Sequence, residues 1–107
     1  MVNYQKVYGL LGLAMKAGKV VTGTDACLET IKKKEIYLIL LAKDASERTK
    51  NLFYEKGKEF SIMVIDILSM EELSKAVGKQ NKVVIGVKEK GFAQAIKKII
   101  SGGEMIG

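Results

Sequence analysis

The feature that most limits the fold is a run of seven consecutive apolar residues, IYLILLA, at positions 36–42. A strand with this sequence is apolar on both faces, so it has to be covered on both sides. The run is far shorter than the ~20 residues that a membrane-spanning helix needs. It therefore predicts the central strand of a sheet that has helices packed on each face.

Helical and strand-like patterns alternate along the rest of the chain. Apolar residues at helical spacing predict five helices, and polar residues suited to N-caps precede the first four of them: Asn3, Thr24, Ser46 and Ser69. Short apolar runs predict three further strands, at residues 20–21, 62–65 and 83–87. The alternation predicts an α/β fold, a three-layer α/β/α sandwich around a four-stranded sheet, and leaves the strand order open.

The composition limits both the number of domains and the chemistry. A chain of 107 residues, 48% of them hydrophobic, suits one core. We expect residues 1–101 to form a single α/β/α domain and residues 102–107 a short flexible tail. One cysteine and no histidine exclude a His-based triad, a His-built zinc site and an internal disulfide. We therefore expect no catalytic residue, no metal and no cofactor, and a function other than that of an enzyme.

The charge balance points to the kind of partner. Lysine and arginine number 18, aspartate and glutamate 12, so the formal net charge is +6. Such a surplus on a small chain favours an anionic partner, most often nucleic acid. The N-terminal sequence lacks the layout of a signal peptide. We expect a cytoplasmic monomer that does not enter a membrane.

The first candidate site is the joint between the first strand and the second helix. A strand ends at Gly23, and the first turn of a helix opens at Thr24 or Asp25. The free N–H groups of that turn lie beside a residue without a side chain, so a phosphate or a base edge can approach closely. Lys19 is close in sequence and adds a cation. The same residues also fit a plain tight turn, which is the commoner role.

Two other joints carry cations and amides. After the central strand, Lys43 and Arg48 are placed to meet phosphates, while Asp44 and Ser46 fit a capping turn for the third helix. Before the last strand lies a loop that combines a flexible glycine with lysines and amides: Gly78, Lys79, Gln80, Asn81 and Lys82. Amides can contact base edges, and lysines neutralise phosphates. A solvated surface loop is the alternative interpretation of this segment.

Taken together, the joints resemble those of a known family. They comprise Ala17-Gly18-Lys19, Gly23, and the segments at residues 40–45, 73–79 and 83–93, the last containing Gly91-Phe92-Ala93. In order and spacing they resemble the ribosomal-protein family of the archaeal L-seven-Ae and eukaryotic L-thirty-e proteins, and most of all its small bacterial YlxQ-like members. The resemblance implies an α/β/α sandwich with a mixed four-stranded sheet, and a non-enzymatic protein that binds structured RNA, commonly the kink-turn, with one end of the sandwich.

The resemblance also implies which residues contact RNA. Members of the family carry Gly-Thr-Asn-Glu-x-x-Lys at the second helix; here Gly23 and Thr24 match, whereas Asp25, Ala26 and Glu29 replace the Asn, Glu and Lys. The expected RNA-binding residues are Lys19, Gly23, Thr24, Asp25, Lys43, Arg48, Gly78, Lys79, Gln80, Asn81 and Lys82. Two functions follow. One is binding of structured RNA such as ribosomal RNA or a kink-turn-like element; the other is a ribosome- or translation-associated protein-interaction module that no longer recognises kink-turns.

Overall fold

The computed structural model describes residues 3–101, in which helices and strands alternate as the sequence predicts. The tail expected at residues 102–107 lies outside the described residues. In chain order the elements are α1 (Tyr4–Lys16), β1 (Val20–Thr22), α2 (Thr24–Lys32), β2 (Leu38–Leu41), α3 (Glu47–Glu59), β3 (Val64–Ile65), α4 (Met70–Ala76), β4 (Val84–Val87) and α5 (Lys90–Ile100).

The four strands found in residues 3–101 form one mixed sheet, in the order β1-β4-β2-β3. Strand β4 runs antiparallel to both of its neighbours, and Val87 lies opposite Val20 on one side and Leu38 on the other. Strands β2 and β3 are parallel. Every residue of β2 is buried, which confirms that the apolar run forms a central strand.

Helices cover both faces of the sheet and complete the predicted three-layer sandwich. Helix α1 packs against α4 and α5, whereas α2 lies against β1 and β4, and α3 against β2 and β3. Helices on both faces contribute fully buried side chains to the core between the layers, among them Leu11 of α1, Phe53 of α3 and Ile96 of α5.

Local sequence signals set most of the helix starts. Asn3 accepts a hydrogen bond from the N–H of Lys6, Ser46 accepts one from Thr49, and Ser69 forms the predicted capping box with Glu72. The second helix opens at Thr24 as predicted, but the prediction that Thr24 is its N-cap was wrong. Thr24 is the first residue of α2, and Gly23 occupies the N-cap with no side chain to offer.

The strand boundaries also differ from the prediction: β1 extends to Thr22, and β4 begins at Val84. The strand predicted over residues 62–65 is only Val64–Ile65, because the N–H of Ile62 is bonded to the carbonyl of Gly57 at the end of α3 and Met63 is 52% exposed. Helix α2 ends at Lys32, and Lys34 adopts a left-handed backbone (φ 60°) that turns the chain toward β2.

Candidate nucleic-acid interface

The structure brings the three predicted joints together at one edge of the sheet. Because β4 is antiparallel to β1 and β2, its first residues meet the last residues of both strands. The N–H of Gly23 donates to the carbonyl of Val84 (3.0 Å), and the N–H of Ala42 donates to the carbonyl of Val83 (2.7 Å). We call this side, where β1, β2 and β3 end and β4 begins, the upper edge.

Helix α2 starts at the upper edge without a side-chain cap. Gly23 has φ 94° and ψ 156°, a conformation that residues with a Cβ rarely adopt. Within residues 3–101 it is the one N-cap whose side chain accepts no hydrogen bond; the other four helices are capped by Asn3, Ser46, Ser69 and Glu89. The first N–H groups of α2 therefore remain available to an acceptor from outside the chain.

The ammonium group of Lys82 lies beside this helix start. A methyl group built on Gly23 would be 3.7 Å from the Nζ of Lys82. The positive end of the α2 dipole and a lysine cation therefore face the same small space, which is open because residue 23 has no side chain. Sequence analysis predicted both residues as contacts, and the structure brings them together.

A buried serine fixes the position of Lys82. Ser74 is 6% exposed, the one buried polar side chain among residues 3–101. Its hydroxyl accepts a hydrogen bond from the N–H of Lys82 (2.8 Å) and donates one to the carbonyl of the same residue (3.3 Å). Both backbone groups of Lys82 are thus tied to helix α4, and the lysine projects from an anchored point rather than from a loose loop.

Between α4 and Lys82 the loop turns out into solvent. Gly78 and Asn81 have left-handed backbones (φ 68° and 57°), and Lys79, Gln80 and Asn81 are exposed. An open groove of about 470 Å³ lies between this loop and the outer side of α4; its lining includes Lys75, Lys79, Gln80 and Asn81. Two lysines and two amides, together with the carboxylate of Glu71, therefore line a concave surface beside α4.

The turn after β2 adds an exposed cation to the upper edge. The N–H of Lys43 donates to the carbonyl of Leu68 (2.8 Å), and its side chain is close enough to Glu72 to help lower the pKa of that carboxyl, after the hydrogen bonds from Ser69 and Tyr8. Asp44 has a different role from the one predicted: it accepts a hydrogen bond from the N–H of Met70 (2.8 Å) at the start of α4, not from α3. Arg48 is exposed in the first turn of α3.

The structure does not bring Lys19 to the upper edge. Lys19 precedes β1, and its carbonyl accepts a hydrogen bond from the N–H of Lys88, which follows β4 (2.7 Å). At ~3.3 Å per residue, the strand separates Lys19 from Gly23 by about 13 Å. Nearness in sequence placed the two residues in one predicted site, but an extended strand carries them to opposite ends of the sheet.

The two acidic positions on α2 have different surroundings. Asp25 is exposed in the first turn, where a carboxylate interacts favourably with the helix dipole. Glu29, one turn later, forms an exposed ion pair with Lys33 (3.6 Å). Part of the negative charge on this face is therefore balanced within the helix, and Asp25 is the acidic group nearest to the free N–H groups.

The described part of the chain gives little support to a nucleophilic thiol, a metal site or a membrane span. Burial raises the pKa of the Cys27 thiol to about 12, so it stays protonated and poorly nucleophilic. Residues 3–101 hold no group of three or more potential metal ligands. No helix in this range is long and apolar enough to cross a membrane.

Two residues of the upper edge were missed from the sequence. The sequence pattern places Ser74 within a helix without indicating a role for it, and it gives no sign that Lys75 lines the groove. The available signal was a small polar residue next to Leu73 and three before Val77, both of which are buried. A serine on the buried side of a helix needs a partner, and the following loop supplies it.

Comparison with known proteins assigns the chain to a family. The model of the "Ribosomal protein L7Ae/L30e/S12e/Gadd45 family" matches residues 5–97. The chain belongs to this family. Two curated relatives carry the name RNA-binding protein YlxQ: one from Enterococcus faecium, 35% identical over 94% of this chain and 96% of the relative, and one from Bacillus subtilis, 32% identical over 87% and 93%. The resemblance inferred from the sequence is thus confirmed.

Solved structures give the same result. A protein of unknown function from Bacillus halodurans C superposes with a TM-score of 0.86 at 32% identity, over 90% of this chain and 97% of that one. The Giardia lamblia 15.5kD RNA binding protein superposes with a TM-score of 0.74 at 13% identity, over 97% and 89%. At 13% identity, the second match supports the fold alone.

Proposed function

We propose that this protein binds a folded RNA, of the kink-turn kind or a similarly bent element of ribosomal RNA, through the upper edge of its sheet. The observation that carries the proposal is the ammonium of Lys82 beside the uncapped start of α2 at Gly23. Membership of the family and the names of the two YlxQ relatives support RNA as the partner. The protein is proposed to act as a cytoplasmic monomer without enzymatic activity.

The chemistry of the upper edge suits an RNA that bends sharply. The grooves of a regular RNA helix give side chains little access to base edges, whereas a bend exposes base edges and crowds phosphates. The first N–H groups of α2 can donate to a base edge or a phosphate at such a bend. Lys43, Lys79 and Lys82 supply positive charge around that contact. Because Ser74 holds Lys82 in place, less side-chain and loop entropy is lost on binding.

Asp25 sets a specificity for the proposed contact. An amide at this position both donates and accepts, whereas an ionised carboxylate only accepts. The exposed Asp25 would therefore pair with a base amino group and disfavour a carbonyl edge or a phosphate. We expect the preferred RNA to present an amino group next to the α2 start.

A second candidate function rests on the same helix start. Asp25 and Ala26 are both exposed, and an acidic, partly apolar helix start can dock onto a basic protein associated with the ribosome. In this case the fold would be retained while RNA recognition is lost. Capture of a partner that survives nuclease treatment would favour this candidate.

A titration distinguishes the two functions. A fluorescent kink-turn RNA and a duplex of equal length are titrated with the protein at two salt concentrations. We expect tighter binding to the kink-turn, and Lys79→Ala/Lys82→Ala should lower the salt slope by roughly 1.5 or more. Lys97→Ala/Lys98→Ala, with the same change in charge on α5, is the control and should leave the preference intact. Equal, weak binding to both RNAs would overturn the proposal.

A further inference from the structure

We propose a second RNA contact at the opposite end of the sheet, one that takes single-stranded RNA. We call this the lower edge: the side where β1 and β2 begin and β4 ends. It goes beyond the proposed function, because none of its residues lies at the upper edge. Its centre is formed by Lys19, Lys88 and Tyr37, which flank three neighbouring strands.

Backbone hydrogen bonds hold these three residues side by side. The N–H of Lys88 donates to the carbonyl of Lys19 (2.7 Å), and the N–H of Tyr37 donates to the carbonyl of Val87 (2.8 Å). Neighbouring strands are ~4.8 Å apart, so an aromatic ring and two cations are spread over a short row. The positions are fixed by the sheet and not by a mobile loop.

Tyr37 is the unusual member of the row. It is 43% exposed at one end of the central apolar run, and within residues 3–101 its hydroxyl makes no hydrogen bond. Of the other three tyrosines, Tyr8 and Tyr54 donate to the carboxylates of Glu72 and Asp66. Tyr4 is also exposed, but it lies at the start of α1, away from this row. An exposed ring with no partner beside cations is the arrangement on which unpaired bases stack.

The charge around Tyr37 is strongly positive. Besides Lys33, which is paired with Glu29, and the lysines in the last turn of α3, six lysines lie at this end: Lys16, Lys19, Lys32, Lys34, Lys88 and Lys90. The acidic residues at this end are Glu35, which is exposed, Glu59, which is paired with Lys56 (3.2 Å), and Glu89, whose carboxylate accepts a hydrogen bond from the N–H of Phe92 (2.8 Å). None of these six lysines forms an ion pair with another described residue. The lower edge therefore carries more uncompensated positive charge than folding requires.

A groove at the same edge, lined in part by Ile36, the residue before Tyr37, offers room for a base. It measures about 440 Å³ and is lined by Lys34, Ile36, Glu59, Phe60, Ser61 and Ile62. The carboxylate of Glu59 is paired with the ammonium of Lys56 (3.2 Å). A duplex has no free base face to stack on Tyr37, so the combination of ring, groove and cations selects an unpaired strand. A protein with both edges occupied would hold a folded RNA element at one end and a single strand at the other.

The test uses a single-stranded RNA that has no fold, an oligouridylate of twelve nucleotides. The chain has no tryptophan, so Tyr37→Trp places a unique fluorophore at the proposed stacking position. Addition of the oligonucleotide should quench its emission. Lys19→Ala/Lys88→Ala should reduce oligouridylate affinity about fivefold or more and lower the salt slope by roughly 1.4, while Lys97→Ala/Lys98→Ala leaves both nearly unchanged.

Stacking and charge are separated by further variants. Tyr37→Leu should weaken oligouridylate binding several-fold, and Tyr37→Phe should retain it, since the ring and not the hydroxyl carries the contact. All of these variants should bind the kink-turn RNA within twofold of the parent chain, so failure of this proposal is distinct from failure at the upper edge. Equal binding of a polyglutamate peptide of the same charge, with no quenching by oligouridylate, would overturn it.

Discussion

The hydroxyl of Ser74 bonds both backbone polar groups of Lys82, accepting from its N–H at 2.8 Å and donating to its carbonyl at 3.3 Å. A single buried side chain on α4 thereby sets where a cation of the upper edge emerges. The ammonium of that lysine then lies beside Gly23 at the start of α2. The position of the proposed contact thus depends on the packing of the core beneath it.

Replacement of this serine tests the dependence. Ser74→Ala leaves the N–H and carbonyl of Lys82 without their partner, and we expect a loss of ~1–3 kcal/mol in the free energy of unfolding. RNA affinity should fall as well, because Lys82 is no longer held. Urea unfolding and the kink-turn titration measure the two effects.

Ser101→Ala provides the control for that variant. The hydroxyl of Ser101 also bonds a backbone carbonyl, that of Lys98 (3.0 Å), but the residue is exposed. Its removal should change stability by less than about 0.5 kcal/mol. If the two serine variants lowered the free energy of unfolding equally, the buried hydrogen bonds to Lys82 would contribute no more to stability than the exposed one to Lys98.

The backbone at Gly23 gives a second prediction. Gly23→Ala adds a methyl group that meets no backbone atom, its nearest neighbour being the Nζ of Lys82 at 3.7 Å. The cost is therefore conformational, about 1–3 kcal/mol for a residue with a Cβ at φ 94°. RNA affinity should also fall, since the methyl group occupies the space in front of the free N–H groups.

Replacement of a glycine inside a helix should stabilise the protein instead of destabilising it. At Gly9 in α1 an added methyl group meets nothing within 4 Å, so Gly9→Ala should stabilise the protein by ~0.5–1 kcal/mol. Thermal or urea unfolding compares the two alanines directly. Stabilisation by both would contradict the strained role assigned to Gly23.

The parts of the fold that sequence predicts correctly are those set by nearby residues. Helical periodicity, the caps at Asn3 and Ser46, and the capping box of Ser69 with Glu72 all act within a few positions. The apolar run at residues 36–42 predicts burial on both faces, which is correct for every residue of the run except Tyr37. Such signals fix the layers without reference to the rest of the chain.

The features that sequence does not predict depend on distant partners. Gly23 takes the cap position in place of Thr24 while its N–H is bonded to Val84. Asp44 bonds the N–H of Met70, 26 residues away, instead of capping the next helix. Lys19 is carried to the other end of the sheet by β1. The three joints of the proposed site meet only because the strand order places β4 between β1 and β2.

The capping box gives a prediction about pH. The hydrogen bonds from Ser69 and then Tyr8 lower the pKa of the Glu72 carboxyl from its usual 4.5. Because the pKa is lower in the folded state, this carboxylate stabilises the protein above about pH 4.5, and the contribution is lost as the pH falls through the folded pKa. Glu72→Gln should lower the free energy of unfolding by about 1 kcal/mol at pH 7. The difference in unfolding free energy between this variant and the parent chain should become smaller below pH 4.5.

Glu71→Gln is the matched control, one position earlier in the same helix turn. Glu71 is exposed, and no hydrogen bond or ion pair holds its carboxylate in the described part of the chain. Its variant should show much the same pH dependence as the parent chain in urea unfolding between pH 3 and 7. If the loss of unfolding free energy caused by Glu72→Gln stayed constant from pH 3 to 7, the stabilising role of the ionised Glu72 carboxylate would be contradicted.

The central claim is that the upper edge is the surface on which folded RNA sits. The most direct test follows the backbone amide signals of the ¹⁵N-labelled protein by NMR while a kink-turn RNA is added. We predict that the largest shifts or broadening fall on Gly23 to Ala26, on Lys43, and on Gly78 to Lys82. Changes concentrated elsewhere, with those amides unmoved at saturation, would contradict the account.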